Sequence, residues 1–246
     1  MRALSASELL GVWERGRGLP SVQRAMVLLD SACPEISSDS LARLSIGQRD
    51  GFLLTLREWA LGPHLVGMAT CPECGDRLEL NLDVADVRAT PENEHEPDEE
   101  FSIAVSDYEV QFRLINTQDL VAIFDGKDAV FARHMLLNRC ILAVHYRGEE
   151  CPLDRLPLSV VNEVLERMEL LDPQADVQLA LSCPSCGHQW EAAFDIVSFF
   201  WTEIESWVRR ILHEVHTLAR AYGWRESDIL AMSPHRRQLY LELVDE

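Results

Sequence analysis

Two short cysteine motifs are the residues in this chain whose types and spacing best suit a chemical role. Both have the pattern C-P-x-C-G, at residues 71–75 and 183–187. In such a turn both thiolates can bind one tetrahedral metal ion, and the glycine that follows lets the backbone turn tightly. Two turns together supply four thiolates, the donor set of a structural zinc site. The sequence therefore predicts one Zn²⁺ bound by four residues: Cys71, Cys74, Cys183 and Cys186.

Other interpretations compete with a single zinc site. A C-P-x-C pair also occurs in redox sites, where the first cysteine lies at a helix N-terminus. Here an alternating stretch typical of a strand follows each motif, which disfavours a redox role. The zinc deaminase signature needs a proline before its C-x-x-C and an H-x-E upstream, and neither is present. Two separate, incomplete sites remain an alternative, with His188 as a further ligand of the second.

Composition indicates an ordinary globular protein. The chain has 246 residues, of which 47% are hydrophobic and 26% charged. No apolar run reaches the ~18–20 residues that a membrane helix needs, and the N-terminus lacks the pattern of a signal peptide. Seven cysteines, an odd number with metal-like spacing, fit a reducing compartment better than a disulfide scaffold. We therefore expect a cytoplasmic protein with no membrane contact.

The charge of the chain disfavours nucleic acid as a partner. The formal net charge is −19, and acidic residues surround the first cysteine motif. Binding to a phosphate backbone depends on a basic surface. Arginines do gather in the last fifty residues, but on helices such residues more often form a solvated face.

The N-terminal region is predicted to be helical. Ser7 is expected to cap the first helix, and apolar spacing predicts a second helix at residues 22–31. Ser45 precedes a third helix at residues 46–61. The apolar run at residues 64–68 then leads into the first cysteine motif as a strand.

Between the cysteine motifs the pattern changes several times. An acidic run at residues 92–100 is expected to be a solvated loop, because its charges repel one another. Thr117 is the expected cap of the helix that follows the hairpin. The predicted elements are a hairpin at 101–105 and 108–114, helices at 119–124, 128–144 and 159–171, and a strand at 177–181.

The C-terminal region contains the longest predicted helix. Apolar residues recur at helical spacing from residue 201 to residue 222, and Gly223 follows as the expected C-cap. A short helix at residues 226–232 comes next, and Ser233 with Pro234 begins a terminal helix. The predicted fold class is α+β, mostly helical, with a four-cysteine zinc ribbon and a small antiparallel β element. The predicted regions are N-terminal helices (1–63), two ribbon halves (64–86 and 175–197), an insertion (87–174) and C-terminal helices (198–246).

Nothing in the sequence favours catalysis. The segment His213-Glu214-Val215-His216 resembles the zincin motif, but its histidines are three residues apart instead of four. There is no phosphate-binding loop, no nucleophile elbow and no convincing catalytic triad. We expect a protein that is not an enzyme.

Several segments resemble a known family. These are residues 183–190, residues 194–196 and the ending at 221–241. They are similar to proteins from contractile phage tail and phage-like injection gene clusters, identified as baseplate proteins or baseplate hub assembly chaperones. The resemblance extends from about residue 65 onward and is sharpest in the last sixty residues. It implies a non-enzymatic role in assembling the tail hub or baseplate, with hub or spike proteins as partners.

Two functional hypotheses follow. The first is an assembly factor or component of a contractile tail baseplate, in which Trp224 and Tyr240 on the C-terminal helices contact the partner. Exposed Trp and Tyr side chains there would suit an interface. The second is a zinc-ribbon adaptor that acts in transcription or nucleic-acid processing.

Overall fold

The protein is a mostly helical α+β structure with several small antiparallel sheets. The computed structural model describes residues 1–91, 94–123 and 129–244. The helices are α1 (Ala6–Gly16), α2 (Ser21–Ala32), α3 (Ser38–Ala42), α4 (Ile46–Leu61), α5 (Val84–Val87), α6 (Thr117–Ile123), α7 (Ala129–Cys140), α8 (Leu158–Leu171), α9 (Ile196–Tyr222), α10 (Glu226–Leu230) and α11 (Pro234–Val244). The strands are β1 (His64–Thr70), β2 (Arg77–Asp83), β3 (Glu100–Val105), β4 (Tyr108–Arg113), β5 (Ile141–Tyr146), β6 (Glu149–Glu150), β7 (Val177–Ser182) and β8 (Gln189–Phe194). No helix in the described ranges is long and apolar enough to cross a membrane.

Local signals set most helix starts. Helix α4 begins directly after Ser45, as expected, and Ser45 caps it in a capping box with Gln48. The expected cap of α1 was wrong: Ser5 is the cap, and Ser7 lies inside the helix. The Ser5 hydroxyl accepts a hydrogen bond from the Glu8 N–H, and the Glu8 carboxylate accepts one from the Ser5 N–H. This reciprocal pair satisfies two free backbone donors, which Ser7 would not do.

The main core lies between four helices. α1, α2, α4 and α9 pack their apolar faces together, and Trp201 of α9 is 2% exposed at the centre. The Trp201 indole N–H donates to Glu205 at 3.0 Å, and the Arg24 guanidinium lies 4.6 Å from the ring centroid. The largest fully buried side chains of this core include Leu28, Leu29, Leu53, Leu54, Phe200 and Trp201.

Helix α9 is a single helix of 27 residues, which includes the predicted stretch 201–222 and begins five residues before it, at Ile196. Asp195 accepts hydrogen bonds from the N–H groups of Val197 and Ser198, and Gly223 ends the helix with φ 67°. The apolar stripe is buried at most positions as far as Leu218. It becomes exposed toward its end, where Tyr222 is 38% exposed.

Each cysteine motif lies between the two strands of a hairpin, as predicted. β1 pairs with β2, and β7 pairs with β8, both antiparallel. The two hairpins are separate two-stranded sheets, so in the described chain no common sheet joins the halves of the predicted ribbon. At its base the first hairpin is held by the buried Arg57, which donates to the carbonyls of Gly62 and His64 and to the Glu203 carboxylate of α9.

The segment between the hairpins has a second core of its own. β3, β4, β5 and β6 form one antiparallel sheet, and α8 packs against it. The buried apolar side chains of this core are Val110, Phe112, Leu114, Ile141, Val144, Leu156, Val160, Val161, Val164 and Met168, with Cys140.

Two predictions in this segment were wrong. The helix expected at 128–144 ends at Cys140, and Ile141–Tyr146 is a strand because it pairs with the otherwise open edge of β4. The cap of α6 is Asn116 instead of Thr117: the Asn116 side chain accepts from the Asp119 N–H, and Asp119 accepts from the Asn116 N–H. Phe124 and Asp128, the predicted helix boundaries, lie outside the described residues, as do Glu92 and Asn93 of the acidic run.

A buried polar junction joins the second core to the first. The Asp172 carboxylate accepts hydrogen bonds from the Ser45 hydroxyl at 3.0 Å and from the Gly47 N–H at 2.9 Å, at the start of α4. The Gln174 amide donates to the Val87 carbonyl and accepts from the Ala89 N–H. The two ends of the segment 87–174 therefore meet at Gln174. Burial raises the pKa of Asp172 above its usual range, although the Gly47 and Ser45 donors oppose this shift.

The junction leads to a prediction about two glycines of the same helix. A Cβ at position 47 would lie 2.0 Å from the Asp172 carboxylate, whereas a Cβ at Gly51 meets no atom within 4 Å. We expect Gly47→Ala to lower the free energy of unfolding by about 1–3 kcal/mol, because the junction must open. Gly51→Ala should raise it by about 0.5–1 kcal/mol, because alanine favours the helix. Urea unfolding of both variants measures this, and equal effects would show that the contact with Asp172 does not constrain α4.

Candidate metal centre

The two cysteine motifs have the same backbone conformation. The Cys71 N–H donates to the Asp76 carbonyl at 2.8 Å, and the Cys183 N–H donates to the His188 carbonyl at the same distance. In both turns the glycine has a positive φ, 75° at Gly75 and 76° at Gly187. Residues with a Cβ are strained in this left-handed region, so the glycine of each motif allows the turn that directs both thiols to one side.

The four predicted ligands come together in space. The Sγ atoms of Cys71 and Cys186 are 3.7 Å apart, and those of Cys74 and Cys183 are 3.6 Å apart. All four sulfur atoms lie within 4.8 Å of one another. Four thiolates at 2.3 Å from a central ion would be separated by about 3.8 Å. The four cysteines could therefore hold one tetrahedral metal ion, and the motifs do not form two distant sites.

Histidine contributes nothing to this cluster. The His188 ring stacks on Trp190 with centroids 5.9 Å apart, and it is not part of the group of ligand atoms. The second histidine motif, at residues 213–216, also contributes no ligand to the cysteine cluster. His213 and His216 lie exposed on α9, and Glu214 between them accepts a hydrogen bond from Arg237.

Four cysteine sulfurs this close together cannot all be thiolates without strong repulsion between their charges. The pKa of Cys183 is lowered to about 7, first because the Cys186 N–H donates a hydrogen bond to it. The pKa of Cys74 is raised to about 12: the Asp76 N–H stabilises its thiolate, but the hydrogen bond with the Cys186 sulfur, desolvation and the other two thiols outweigh this effect. Four thiolates so close together require a cation to balance their charge. The donor set therefore suits a metal ion better than four free thiols.

A hydrogen bond beside the cluster links the two motifs directly. The Ser185 hydroxyl donates to the Asp76 carboxylate, across 109 residues of sequence. Sequence reasoning did not single out either residue. The sequence signal for this hydrogen bond is a polar residue directly after the first turn and another inside the second. Many turns contain such residues, so the signal is weak.

The cluster is half exposed. Cys71 and Cys183 are each 1% exposed, whereas Cys74 and Cys186 face the surface. Four protein ligands fill a tetrahedral site and leave no position for a reacting water. A metal ion held here would stabilise the fold instead of taking part in a reaction.

The two predicted partner-contact residues also lie together, far along the chain from the cysteines. The rings of Trp224 and Tyr240 have centroids 4.8 Å apart, and Tyr222 stacks on Trp224 at 4.5 Å. Both Trp224 and Tyr240 are half-buried. Part of this aromatic cluster is therefore packed on the protein itself, and part of it is open to solvent.

The fold and site define a class: a mostly helical α+β protein in which a four-cysteine cluster joins two β-hairpins. The chain belongs to the family described as T4 bacteriophage base plate protein, whose model matches residues 20–201. No curated protein and no solved structure matches the chain significantly.

The family match confirms the resemblance to baseplate proteins and corrects its extent. The match includes α2, α3 and α4, whereas the sequence resemblance was placed from about residue 65 onward. It ends at residue 201, inside α9, so the C-terminal segment in which the resemblance was sharpest lies beyond it. All four clustered cysteines lie within the matched range.

The geometry predicts that metal binding needs all four thiols together. We expect Cys183→Ser to lose the bound ion and to unfold at a lower temperature, because metal bound to such sites contributes on the order of 10 kcal/mol. Cys151→Ser, at a half-buried cysteine outside the cluster, should keep both the ion and the unfolding temperature. Elemental analysis and thermal unfolding of purified protein, with and without chelator, measure these effects. A stable protein after chelation would contradict a structural role.

Proposed function

We propose that this protein is a non-enzymatic assembly factor or structural component of a contractile tail baseplate, acting at the hub as a chaperone-like protein. The observation that carries the proposal is the match of residues 20–201 to the base plate protein family. A closed four-thiolate site supports a structural role for the metal. The proposed location is the cytoplasm, with the tail particle as the second location.

Zinc is the ion that we propose for the cysteine cluster. Zn²⁺ binds four thiolates in tetrahedral geometry and has no redox chemistry of its own. The sulfur separations of 3.6 and 3.7 Å support this choice. Its role would be to hold the tips of the two hairpins together, so that residues far apart in sequence form one rigid unit.

The proposed partners are the hub or spike proteins of the same tail. The aromatic cluster of Tyr222, Trp224 and Tyr240 supports a contact on the C-terminal helices. Tyr222 is 38% exposed, and nearby Leu239 and Leu243 of α11 are 48% and 58% exposed. Aromatic side chains that are partly open and held rigid by their neighbours are typical interface anchors.

The alternative function is a zinc-ribbon adaptor that acts on nucleic acid. The hairpins that would form the ribbon disfavour it: residues 64–86 and 175–197 contain eight acidic residues and one arginine. A surface of this charge repels phosphates. Exposed arginines on α9 and α11 are the one feature in its favour.

The alternative is tested by nucleic-acid binding. We expect no appreciable binding to random DNA or RNA at physiological salt, because the net charge is −19. A gel-shift titration of the metal-loaded protein measures this. Tight binding that weakens steeply with salt would support the adaptor function and contradict the baseplate proposal.

The C-terminal contact is tested by substitution, because truncation at Gly223 would also remove the buried Ile229 and Leu230. We expect the double variant Trp224→Ala, Tyr240→Ala to bind the purified hub or spike protein of the same gene cluster about 30-fold more weakly, since truncating a central aromatic anchor costs about 2 kcal/mol. Trp59→Ala on α4, where the side chain is 49% exposed, is the control. Calorimetric titration compares the three proteins. Unchanged affinity in a folded double variant would place the contact elsewhere.

A further inference from the structure

A large apolar cleft separates the two hairpins. It has a volume of about 700 Å³ and lies between β1–β2, β7–β8 and the beginning of α9. Its walls are the inward-facing side chains of the hairpins, which remain only half-buried because nothing in the described chain fills the space. The apolar residues of these walls include Leu80, Leu82, Leu179, Leu181, Trp190 and Phe194.

One border of the cleft is the free edge of β1. Six consecutive residues of this strand, 65–70, line the cleft, whereas β2 and β7 contribute only alternate residues. Side chains of one face alternate along a strand, so consecutive lining residues mark a backbone edge. β1 pairs with β2 alone. In the described ranges no hydrogen bond joins the backbone of residues 65–70 to any element other than β2. Unpaired N–H and C=O groups therefore face the cleft.

The edge of β1 lacks the features that protect edge strands. From Leu65 to Thr70 there is no charged residue and no proline, and Val66 and Met68 are 59% and 55% exposed. Native edges are usually blocked by charges, prolines or bulges, because a bare edge pairs with other strands. Gly67 lets the middle of β1 approach α9 closely, because a Cβ there would lie 3.3 Å from Phe199.

We propose that β1 and the cleft receive an extended segment of another protein, which adds to β1 as a third strand and places alternate apolar side chains between the hairpins. Backbone hydrogen bonds to an edge with side-chain pockets beside it are the basis of recognition by strand addition. A cleft of this volume is comparable to established ligand pockets.

Charge indicates which segment would bind. The acidic residues that line the cleft are Asp195 and Glu203, and the two hairpin regions contain eight acidic residues and one arginine. A segment with lysine or arginine on both sides of its apolar core matches this charge. A second copy of this chain is disfavoured as the occupant, because each copy has a net charge of −19.

This inference extends the proposed function by naming the kind of partner segment, and it depends on neither the C-terminal contact nor the family assignment. Its test uses a synthetic peptide of about eight residues in which leucine alternates with threonine, flanked by lysine pairs and labelled with fluorescein. Fluorescence anisotropy with the full-length, metal-loaded protein measures binding. We expect binding that becomes about tenfold weaker when the flanks are glutamate, and that is lost when every backbone amide of the leucine–threonine core is N-methylated.

Variants and hydrogen exchange then locate the peptide. Met68→Lys should weaken binding about tenfold because it adds a positive charge beside the edge, whereas Leu142→Lys, at a residue 44% exposed on β5, should not. The peptide should slow amide exchange in β1. Exchange in β3, an edge strand of the four-stranded sheet, should remain unchanged. Metal content and circular dichroism check that both variants are folded.

Three results would overturn the proposal. The first is no binding of the lysine-flanked peptide, or equal binding of the N-methylated peptide, whose core has no N–H groups to pair with β1. The second is equal binding by wild type and Met68→Lys. The third is a dimer in sedimentation experiments that Met68→Lys dissociates, since the edge would then serve a second copy. Failure of the hub or spike protein to bind would contradict the proposed function without affecting these results.

Discussion

The convergence of four cysteine sulfurs is the constraint on which the arrangement of the two hairpins depends. Each hairpin has only two strands, and an isolated two-stranded sheet is marginally stable in water. The hairpins share no backbone pairing in the described chain, so their tips meet only where Cys71 and Cys74 lie against Cys183 and Cys186. The link between Ser185 and Asp76 adds one further contact there. A metal ion at this point would cross-link segments on opposite sides of the whole insertion.

The bases of the hairpins are held by different interactions from the tips. Arg57 joins the end of α4, the start of β1 and Glu203 of α9 through one buried guanidinium. Asp172 joins the end of the inserted segment to the start of α4. Gln174 joins the same end to the residues that follow β2. Removing one partner of such a buried group would leave a charge or amide unpaired, which is costly. The cleft is therefore fixed at both ends and open between them, where its apolar walls face solvent.

The surface of the molecule combines negative charge with two exposed apolar regions. Its cysteine cluster is closed, its negative charge is concentrated on the hairpins and the insertion, and its open apolar surfaces lie in the cleft and on the C-terminal helices. A base plate protein must hold defined neighbours in an assembly, and surfaces of this kind supply affinity and orientation. The family match covers the cleft and the cysteines but not the aromatic cluster around Trp224. The cleft therefore belongs to the part of the chain that the family shares, and the aromatic cluster lies outside it.

Local sequence determined much of this structure. The start of α4 after Ser45, the glycine at the end of α9 and both cysteine turns depend on neighbouring residues, so their patterns predicted them correctly. The spacing of the cysteines also predicted a common site, because C-x-x-C turns have one favoured geometry for a shared ion. The cap at Ser5 could have been found as well, since Glu8 follows it by three residues.

Tertiary contacts decided the rest. Residues 141–146 have apolar spacing that fits a helix or a strand, and only the open edge of β4 made them a strand. The burial of Asp172 against Gly47 joins residues 125 positions apart, which no local pattern reveals. The separation of the ribbon halves into two sheets, and the cleft between them, depend on how the hairpins pack near α9, whose Phe199 lines the cleft. Sequence alone determined which side chains could bind a metal, and the packing of distant elements determined what surface that metal would support.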